Sequence, residues 1–355
     1  MIRSIYCFLK YIYELLAELR ENLFSRRIYH KFDNSSKNIF LITSPEYGNL
    51  GDHAIAESMI GYTKERFPDY KVHEISDSNF KHSIGWIINN NKEEDYIFLI
   101  GGGNFGVLYP QIEYWRRLVI SKCKNAKIFL FPQSSVWRSD LCDKLQLNRS
   151  SKIYSKNTKL YLMAREKSTY DLMKKYFKND TYITPDIVLT KKYIDSKCEN
   201  DNHSNTVLLC FRNDVEKLIE KDIIETIEKI IVSKGYMIKK FDTETYKVIP
   251  YTQRKAVLDE TMKIFLNCQC VITDRLHGMI FSAINGIPCL AFDSTTHKVS
   301  GVANEWLRSE NIIVYNNRAS LENQIKLLLE KKYFVFDQEN IIKVFDNILG
   351  KYSDI

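Results

Sequence analysis

The sequence predicts an α/β fold of two parallel-sheet domains in tandem, preceded by an amphipathic helix. Three observations carry this. Short apolar runs alternate with helix-length segments along almost the whole chain, the pattern of strands joined by crossover helices. Residues 191–205 (KKYIDSKCENDNHSN) are polar and poor in apolar side chains, so they read as a linker between two such alternations. The glycine-rich and basic motifs fall directly after strands, at the sheet edge where open α/β folds bind ligands.

Composition sets the bounds. A chain of 355 residues is long enough for two ordinary domains, and 45% hydrophobic with 13% aromatic residues supplies full cores. The net charge of +7 arises from 51 basic and 44 acidic residues, with no block dense enough to announce nucleic acid. That balance suits anionic substrates or work near an anionic surface. The eight cysteines are scattered, and Cys268 and Cys270 form only a C-x-C, so they read as reduced, buried thiols of a cytosolic protein. Lys10 and Glu14 interrupt the first apolar run, which argues against a secretory signal. No run of ~18 uncharged apolar residues suggests a membrane span.

Residues 1–31 carry Ile2, Ile5, Phe8, Ile12, Leu15, Leu16, Leu19 and Leu23 at helical spacing, with arginines mostly off that stripe. A membrane interface or a packing surface would both explain it. Strands follow at Asn38–Thr43, Lys71–Ile75, Tyr96–Ile100, Lys127–Phe131 and Leu160–Ala164. Helices are expected from about His53 to Arg66, Lys81 to Asn89 and Ser168 to Tyr176. Beyond the linker come strand Thr206–Phe211, a helix from about Glu216 to Lys234, strand Met237–Phe241 and helix Gln253–Leu266. A strand near Asn311–Tyr315 and helices Ser320–Leu329 and Glu339–Leu349 end the chain. The expected boundaries are 1–35 for the leading helix, 36–195 and 205–335 for the two domains, and 336–355 for a terminal helix.

The stretch with most chemistry is Val271–Phe292 (VITDRLHGMIFSAINGIPCLAF). A strand delivers Arg275 and His277 onto a helix start that Asp274 or Thr273 can cap. Free N–H groups, the positive helix end and a bidentate guanidinium together make an anion site. The plain alternative is an Arg275–Asp274 pair with His277 in the core. Gly101, Gly103 and Gly106 satisfy G-x-G-x-x-G, but the following strand ends in Pro132-Gln133 without a ribose-binding acid. Gly48-Asn49-Leu50-Gly51-Asp52 is a second glycine loop opening a helix, with Asp52 as a plausible cap. Arg165 follows a strand, with Glu166 as a ready partner. No D-x-D, H-E-x-x-H or paired-cysteine spacing supports a metal, and no G-x-S-x-G nucleophile elbow is present.

In this order, Gly48-Asn49-Leu50-Gly51-Asp52, Gly101-Gly102-Gly103-Asn104, Pro132-Gln133-Ser134, Ala164-Arg165-Glu166 and Thr273-Asp274-Arg275-Leu276-His277-Gly278 resemble the motifs of the polysaccharide pyruvyl transferases. Gly286-Ile287-Pro288 and Lys298 fit as well, and the resemblance spans roughly residues 38–310. It implies two Rossmann-like domains facing across a cleft, similar to GT-B glycosyltransferases. It also implies phosphoenolpyruvate as donor, a saccharide acceptor and a pyruvate ketal as product, with no metal or other cofactor. On this reading His277 is the general acid and Arg275 acts beside it. Arg165, Arg275, Leu276 and Lys298 hold the donor, and Gly48, Asn49, Asp52, Gly102, Gly103, Asn104 and Gln133 remain for the acceptor side.

Two other readings stay open: a GT-B glycosyltransferase that uses a nucleotide sugar, and a non-catalytic scaffold of a polysaccharide assembly complex. The expected location is cytoplasmic, either free or on the inner face of the cell membrane. There the leading helix would meet a lipid-linked acceptor.

Overall fold

The alternation in the sequence forms two separate parallel sheets. The computed structural model describes residues 2–24, 28, 30–137, 140–191, 204–214 and 217–352, and the side chains of the leading helix from Leu9 to Leu23. Most of the expected linker, the expected helix start at Glu216, Cys198 and the side chain of Cys7 lie outside the described residues. Two units divide the chain. One comprises Met1–Glu46, Ser58–Ile187 and Ile348–Ile355; the other comprises Tyr47–Glu57 and Val188–Asn347. The first domain expected from the sequence runs unbroken from 36 to 195, whereas residues 47–57 group with the second unit.

In chain order the first elements are α1 (Ile2–Phe24), β1 (Asn38–Ser44), α2 (Leu50–Arg66), β2 (Lys71–Ser76), α3 (Phe80–Asn90), β3 (Tyr96–Leu99) and β4 (Gly102–Gly106). Then come α4 (Pro110–Lys122), β5 (Lys127–Val136), α5 (Leu141–Tyr154), β6 (Leu160–Ala164), α6 (Lys167–Tyr176) and β7 (Thr181–Ile183). The strands run β2-β1-β3-β5-β6-β7, with β4 paired to β5. Because side chains alternate along a strand, Phe40, Ile42, Ile97, Leu99, Ile128 and Leu130 share one face. They pack with Ile84 and Ile87 of α3, Leu118 and Val119 of α4, Leu147 of α5 and Met173 of α6. On the opposite face Phe98 meets Phe67 at 5.9 Å and Phe129 stacks on Tyr161 at 4.7 Å between ring centroids.

The second unit holds β8 (Thr206–Cys210), α7 (Lys221–Ser233), β9 (Met237–Phe241), α8 (Arg254–Leu266), β10 (Cys270–Thr273) and α9 (Leu276–Ile284). It continues through β11 (Cys289–Ala291), α10 (Lys298–Trp306), β12 (Ile312–Val314), α11 (Leu321–Glu330) and α12 (Gln338–Leu349). Its strand order is β12-β11-β10-β8-β9, parallel throughout. Val207, Leu209, Ile272 and Leu290 face α7 and α11 through Ile227, Ile231, Leu321 and Ile325. Cys210 and Thr273 on the other face meet Gly278 of α9, and Phe265 of α8 packs edge-on against Phe281 of α9 at 5.6 Å. Cys123, Cys142, Cys210, Cys268, Cys270 and Cys289 are buried thiols.

The glycine run after β3 departs from the sequence reading, which took residues 101–106 as a loop. Gly102–Gly106 is a strand, and β5 extends past Pro132 to Val136 to pair with it. Periodicity cannot reveal such a strand, because its pairing depends on glycine backbone rather than on apolar side chains. Gly102 and Gly106 take φ of 135° and 146°, and a Cβ on Gly106 would lie 2.2 Å from the Val136 carbonyl oxygen. Helices α4, α5 and α10, and strand β7, were likewise missing from the sequence reading. Gly106→Ala therefore combines a forbidden dihedral with a backbone clash and should cost more than ~1 kcal/mol. Thermal melts of the purified variant should show a fall of several degrees, and an unchanged melting temperature would mean that β4 tolerates a side chain there.

Candidate active site

The second sheet reverses direction of growth between β8 and β10, which makes the loops after these two strands its topological switch point. Each loop carries an arginine. Arg212 follows β8 and Arg275 follows β10, and they are 6% and 7% exposed. A guanidinium is always charged, so burying two together requires carboxylates. Asp214 serves both: its Oδ1 accepts from Arg212 Nε at 2.9 Å, and its Oδ2 accepts from Arg275 Nη1 at 2.8 Å. Asp242, just past β9, takes the other edge of Arg275 bidentately, from Nε at 2.8 Å and Nη2 at 3.0 Å. The partners of Arg275 are thus Asp214 and Asp242, rather than the adjacent Asp274.

Helix α9 starts immediately after this cluster. Arg275 occupies its N-cap position without a side-chain cap, so neither capping residue expected from the sequence fills that role. Thr273 Oγ1 accepts the Arg275 N–H at 3.0 Å and donates to the Cys210 carbonyl at 2.7 Å, which ties β10 to β8. Leu276 and His277 are the first helical residues, so their N–H groups lie at the positive end of the helix. A Cβ on Gly278 would come 2.3 Å from Thr273 Oγ1. Only glycine lets the helix start sit this low on the sheet.

His277 is nearly buried, at 9% exposure, and packs against Phe281. Its Nδ1 would lie 2.0 Å from a Cβ placed on Gly51. The segment from Tyr47 to Glu57, a short loop and the start of α2, thus reaches this site within the second unit. Gly48 accepts from Thr245 N at 2.8 Å, Leu50 N donates to the Thr243 carbonyl at 2.8 Å, and Asn49 bridges Glu244. A Cβ on Gly48 would overlap the Thr245 carbonyl oxygen at 1.6 Å. The glycines of this motif are therefore explained by close backbone approach. The cap of α2 is Asn49, whose Oδ1 accepts from Gly51 N at 2.9 Å and Asp52 N at 3.2 Å. Asp52, expected as the cap, instead accepts from the Tyr47 hydroxyl at 2.9 Å.

The other expected site residues divide between the two units. Arg165 belongs to the first unit, where Nη1 pairs with Asp186 at 2.6 Å and Nε donates to Ser134 at 2.7 Å. Glu166 approaches only to 4.0 Å and accepts from Ser134. Those partners account for the burial of Arg165 without a ligand. Gly103 lies beside it, and Gly102 belongs to β4. Asn104 accepts from Arg116 through both its carbonyl and its side chain, while Gln133 is fully buried and donates to the Ile100 carbonyl at 2.8 Å. Lys298 opens α10 after β11, on the next strand outward from β10. Contacts within the structure thus gather Gly48, Asn49, Asp52, Arg275, Leu276 and His277 in one unit. Gly102, Gly103, Asn104, Gln133 and Arg165 lie in the other.

Two Rossmann-type parallel sheets with motif-bearing loops at their carboxyl ends define a GT-B-like protein. Solved structures share this fold. A Klebsiella pneumoniae protein of uncharacterised function aligns with a TM-score of 0.54 at 20% identity, over 87% of this chain and 98% of its own. The UDP-GlcNAc 2-epimerase of Methanocaldococcus jannaschii aligns at 0.50 and 15% identity, over 89% and 99%. Sequence relatives are more specific. The family model described as polysaccharide pyruvyl transferase matches residues 49–296. General stress protein 30 of Bacillus subtilis (strain 168) is 34% identical over 302 residues, 84% of this chain and 87% of that protein. Pyruvyl transferase 1 of Schizosaccharomyces pombe is 26% identical over 342 residues, 89% of this chain and 81% of that protein. The chain belongs to the polysaccharide pyruvyl transferase family.

Sequence reasoning passed over Arg212, Asp214 and Asp242. Arg212-Asn213-Asp214 follows a strand just as Arg275 does, so the signal was present, but nothing in a sequence says that β8 and β10 are neighbours. Asp274 is, with Thr273, one of the two caps expected from the sequence. It is 1% exposed and accepts from Arg212 N at 2.8 Å. Burial pushes its carboxyl up to about 6, with the Arg212 N–H and the guanidinium groups of Arg212 and Arg275 pulling the other way.

A raised acid favours the fold most when protonated. This contribution is fully present below the ordinary aspartate range and is lost as pH rises through about 6. Asp274→Asn should abolish that dependence. Urea titrations should find the variant equal to wild type near pH 4 and more stable at pH 8, by on the order of 2–3 kcal/mol. A variant no more stable at pH 8 would mean that the two arginines keep Asp274 ionised in the fold.

Proposed function

We propose that this family member transfers the pyruvyl group of phosphoenolpyruvate to two hydroxyls of a saccharide, giving a pyruvate ketal and inorganic phosphate. One observation carries the reading. Arg212 and Arg275 stand at the switch point beside the N-terminus of α9, with His277 in its first turn. Phosphoenolpyruvate has two anionic ends, and two planar guanidinium forks with a set of helix N–H groups match that demand. Asp214 and Asp242 hold the forks in place before the donor arrives, so the donor binds by exchanging with carboxylates rather than by ordering loose side chains.

The chemistry balances without a redox partner. A proton goes to the methylene carbon of the enol, and the adjacent carbon becomes oxocarbenium-like. One saccharide hydroxyl attacks it, the C–O bond to phosphate breaks, and the second hydroxyl closes the ring. Of the two hydroxyl protons released, one replaces that spent on the new methyl group and the other leaves on phosphate. His277 is the proposed general acid. Asp52, next to the Gly51 that packs on His277, is the proposed contact for the saccharide, and Arg165 serves the frame of the first unit. Guanidinium and N–H groups carry all the charge stabilisation, so the reaction as proposed uses no metal.

Phosphoenolpyruvate should raise the melting temperature in proportion to the logarithm of its concentration above its dissociation constant, while nucleotide sugars should not. The reverse pattern would make the protein a nucleotide-sugar enzyme instead. His277→Asn should keep that shift and lose roughly 10²–10⁴-fold in phosphate release with a saccharide acceptor. Near-normal turnover would leave His277 a packing residue. Arg275→Lys keeps one charge but cannot span Asp214 and Asp242 at once, so binding and rate should both fall. An unchanged melting shift and rate in that variant would remove Arg275 from the donor site.

A further inference from the structure

Helix α1 is docked with its polar side inward. It packs on α4 and α5 of its own unit, and the side chains it buries there are Glu14, Glu18 and Glu21, at 9%, 3% and 6% exposure. Glu18 pairs with Arg117 and Arg149, both at 3.1 Å. Glu14 accepts from Gln146, and Glu21 pairs with Lys81 at 2.9 Å and accepts from the Trp115 indole at 3.4 Å. Rotating the helix to hide its leucines would strand Arg117, which is 1% exposed, without its acid. The orientation is therefore fixed by charge.

Much of the apolar stripe consequently faces outward, while Ile12 and Leu15 are half-buried. Leu9, Tyr13, Leu16 and Leu23 are 61%, 73%, 59% and 61% exposed, with Leu19 beside them at 49%. Every acid of the helix is on the buried side, so the charges left among the described outward residues are Lys10 and Arg20. Lys10 reaches back to Glu14 at 3.8 Å while remaining half exposed. An outward face that joins leucines and a tyrosine to cations alone matches an anionic lipid surface. A second copy of the chain fits less well, because a two-fold pairing would bring two copies each of Lys10 and Arg20 into one interface whose outward faces offer no acid to pair with them.

We propose that α1 is a docking surface for the anionic face of a lipid bilayer. It lies in the interface rather than across it: among the described residues no helix is long and apolar enough to span a membrane. The helix thus brings the whole chain to the bilayer while its glutamates keep it fastened to its own unit. This inference stands apart from the proposed reaction and survives if that reaction is wrong.

The test is flotation of the full chain with vesicles of phosphatidylcholine, with and without phosphatidylglycerol. Binding should require the anionic lipid at ~0.1 M salt and be released at ~1 M, where screening is complete within a few ångströms. Arg20→Gln should weaken it about fivefold, the loss expected for one cation near such a surface. Leu16→Glu with Leu23→Glu should lower it at least tenfold without moving the melting temperature, since both side chains point away from the fold. Failure of wild type to float with anionic vesicles overturns the proposal. So does a dimer in light scattering that Leu16→Glu dissociates, which would make the face a self-association surface.

Discussion

Two guanidinium groups buried side by side cannot be left uncompensated, and the loops of the second unit are arranged around that requirement. Asp214 neutralises Arg212 and Arg275 together, which ties the end of β8 to the end of β10. Asp242 neutralises the far edge of Arg275, which brings in the end of β9. Residues 243–245, held by that contact, then offer their backbone to residues 48–50. The start of α2 follows from this, and with it the seat of Gly51 against His277. One ion cluster therefore sets three strand ends and a helix start. Any anion bound there must enter an arrangement whose charges are already matched.

The glycines record how closely these pieces approach. Gly48 meets the Thr245 backbone, Gly51 meets the His277 ring and Gly278 meets Thr273, each at a distance that leaves no room for a methyl group. From sequence alone such glycines suggest a phosphate or a nucleotide, since those too demand close backbone approach. Here the approaching group is the protein itself. Their effect on chemistry is indirect: they fix where the imidazole stands and how little it can move.

Much of the fold could be read from the chain, because parallel strands buried on both faces are near-continuous apolar runs and their helices are amphipathic. The Thr273-Asp274-Arg275-Leu276-His277-Gly278 motif was legible for the same reason: it sits between two such runs. What escaped was everything decided by pairing between distant segments. β4 has too little side chain to show a period. Arg212 gains its meaning only from the strand order β9-β8-β10, and Asp242 only from meeting Arg275. The cap of α2 was misassigned by three residues, because Asn49 and Asp52 are both good caps and the nearby Tyr47 hydroxyl decided between them. Arg165 stands at a strand end as Arg275 does, and spacing alone does not reveal the partners of either. Asp186, which lies 21 residues downstream of Arg165 and supplies its counter-charge, could not be assigned from spacing.

Buried arginines recur as the fixed points of both units. Arg116, paired with Glu113 on its own helix, clamps the glycine strand through Asn104, Arg254 braces His53 at 3.2 Å, and Arg165 joins Ser134 to Asp186. Arg117 turns the leading helix inside out. The usual expectation for an amphipathic helix on a domain is that its leucines go inward, because burying each is worth roughly 1.5–3 kcal/mol. Against that gain, the alternative leaves a buried guanidinium without its carboxylate, a loss of about 3–5 kcal/mol for a broken buried pair, and also breaks the contacts of Glu14 with Gln146 and of Glu21 with Lys81 and Trp115. Glu18 answers Arg117, and Glu14 and Glu21 follow on the same face one turn to either side. The leucines are exposed as the direct consequence. A rule about buried charge, applied at α4 and α5, thus determines what the outer surface of α1 can bind.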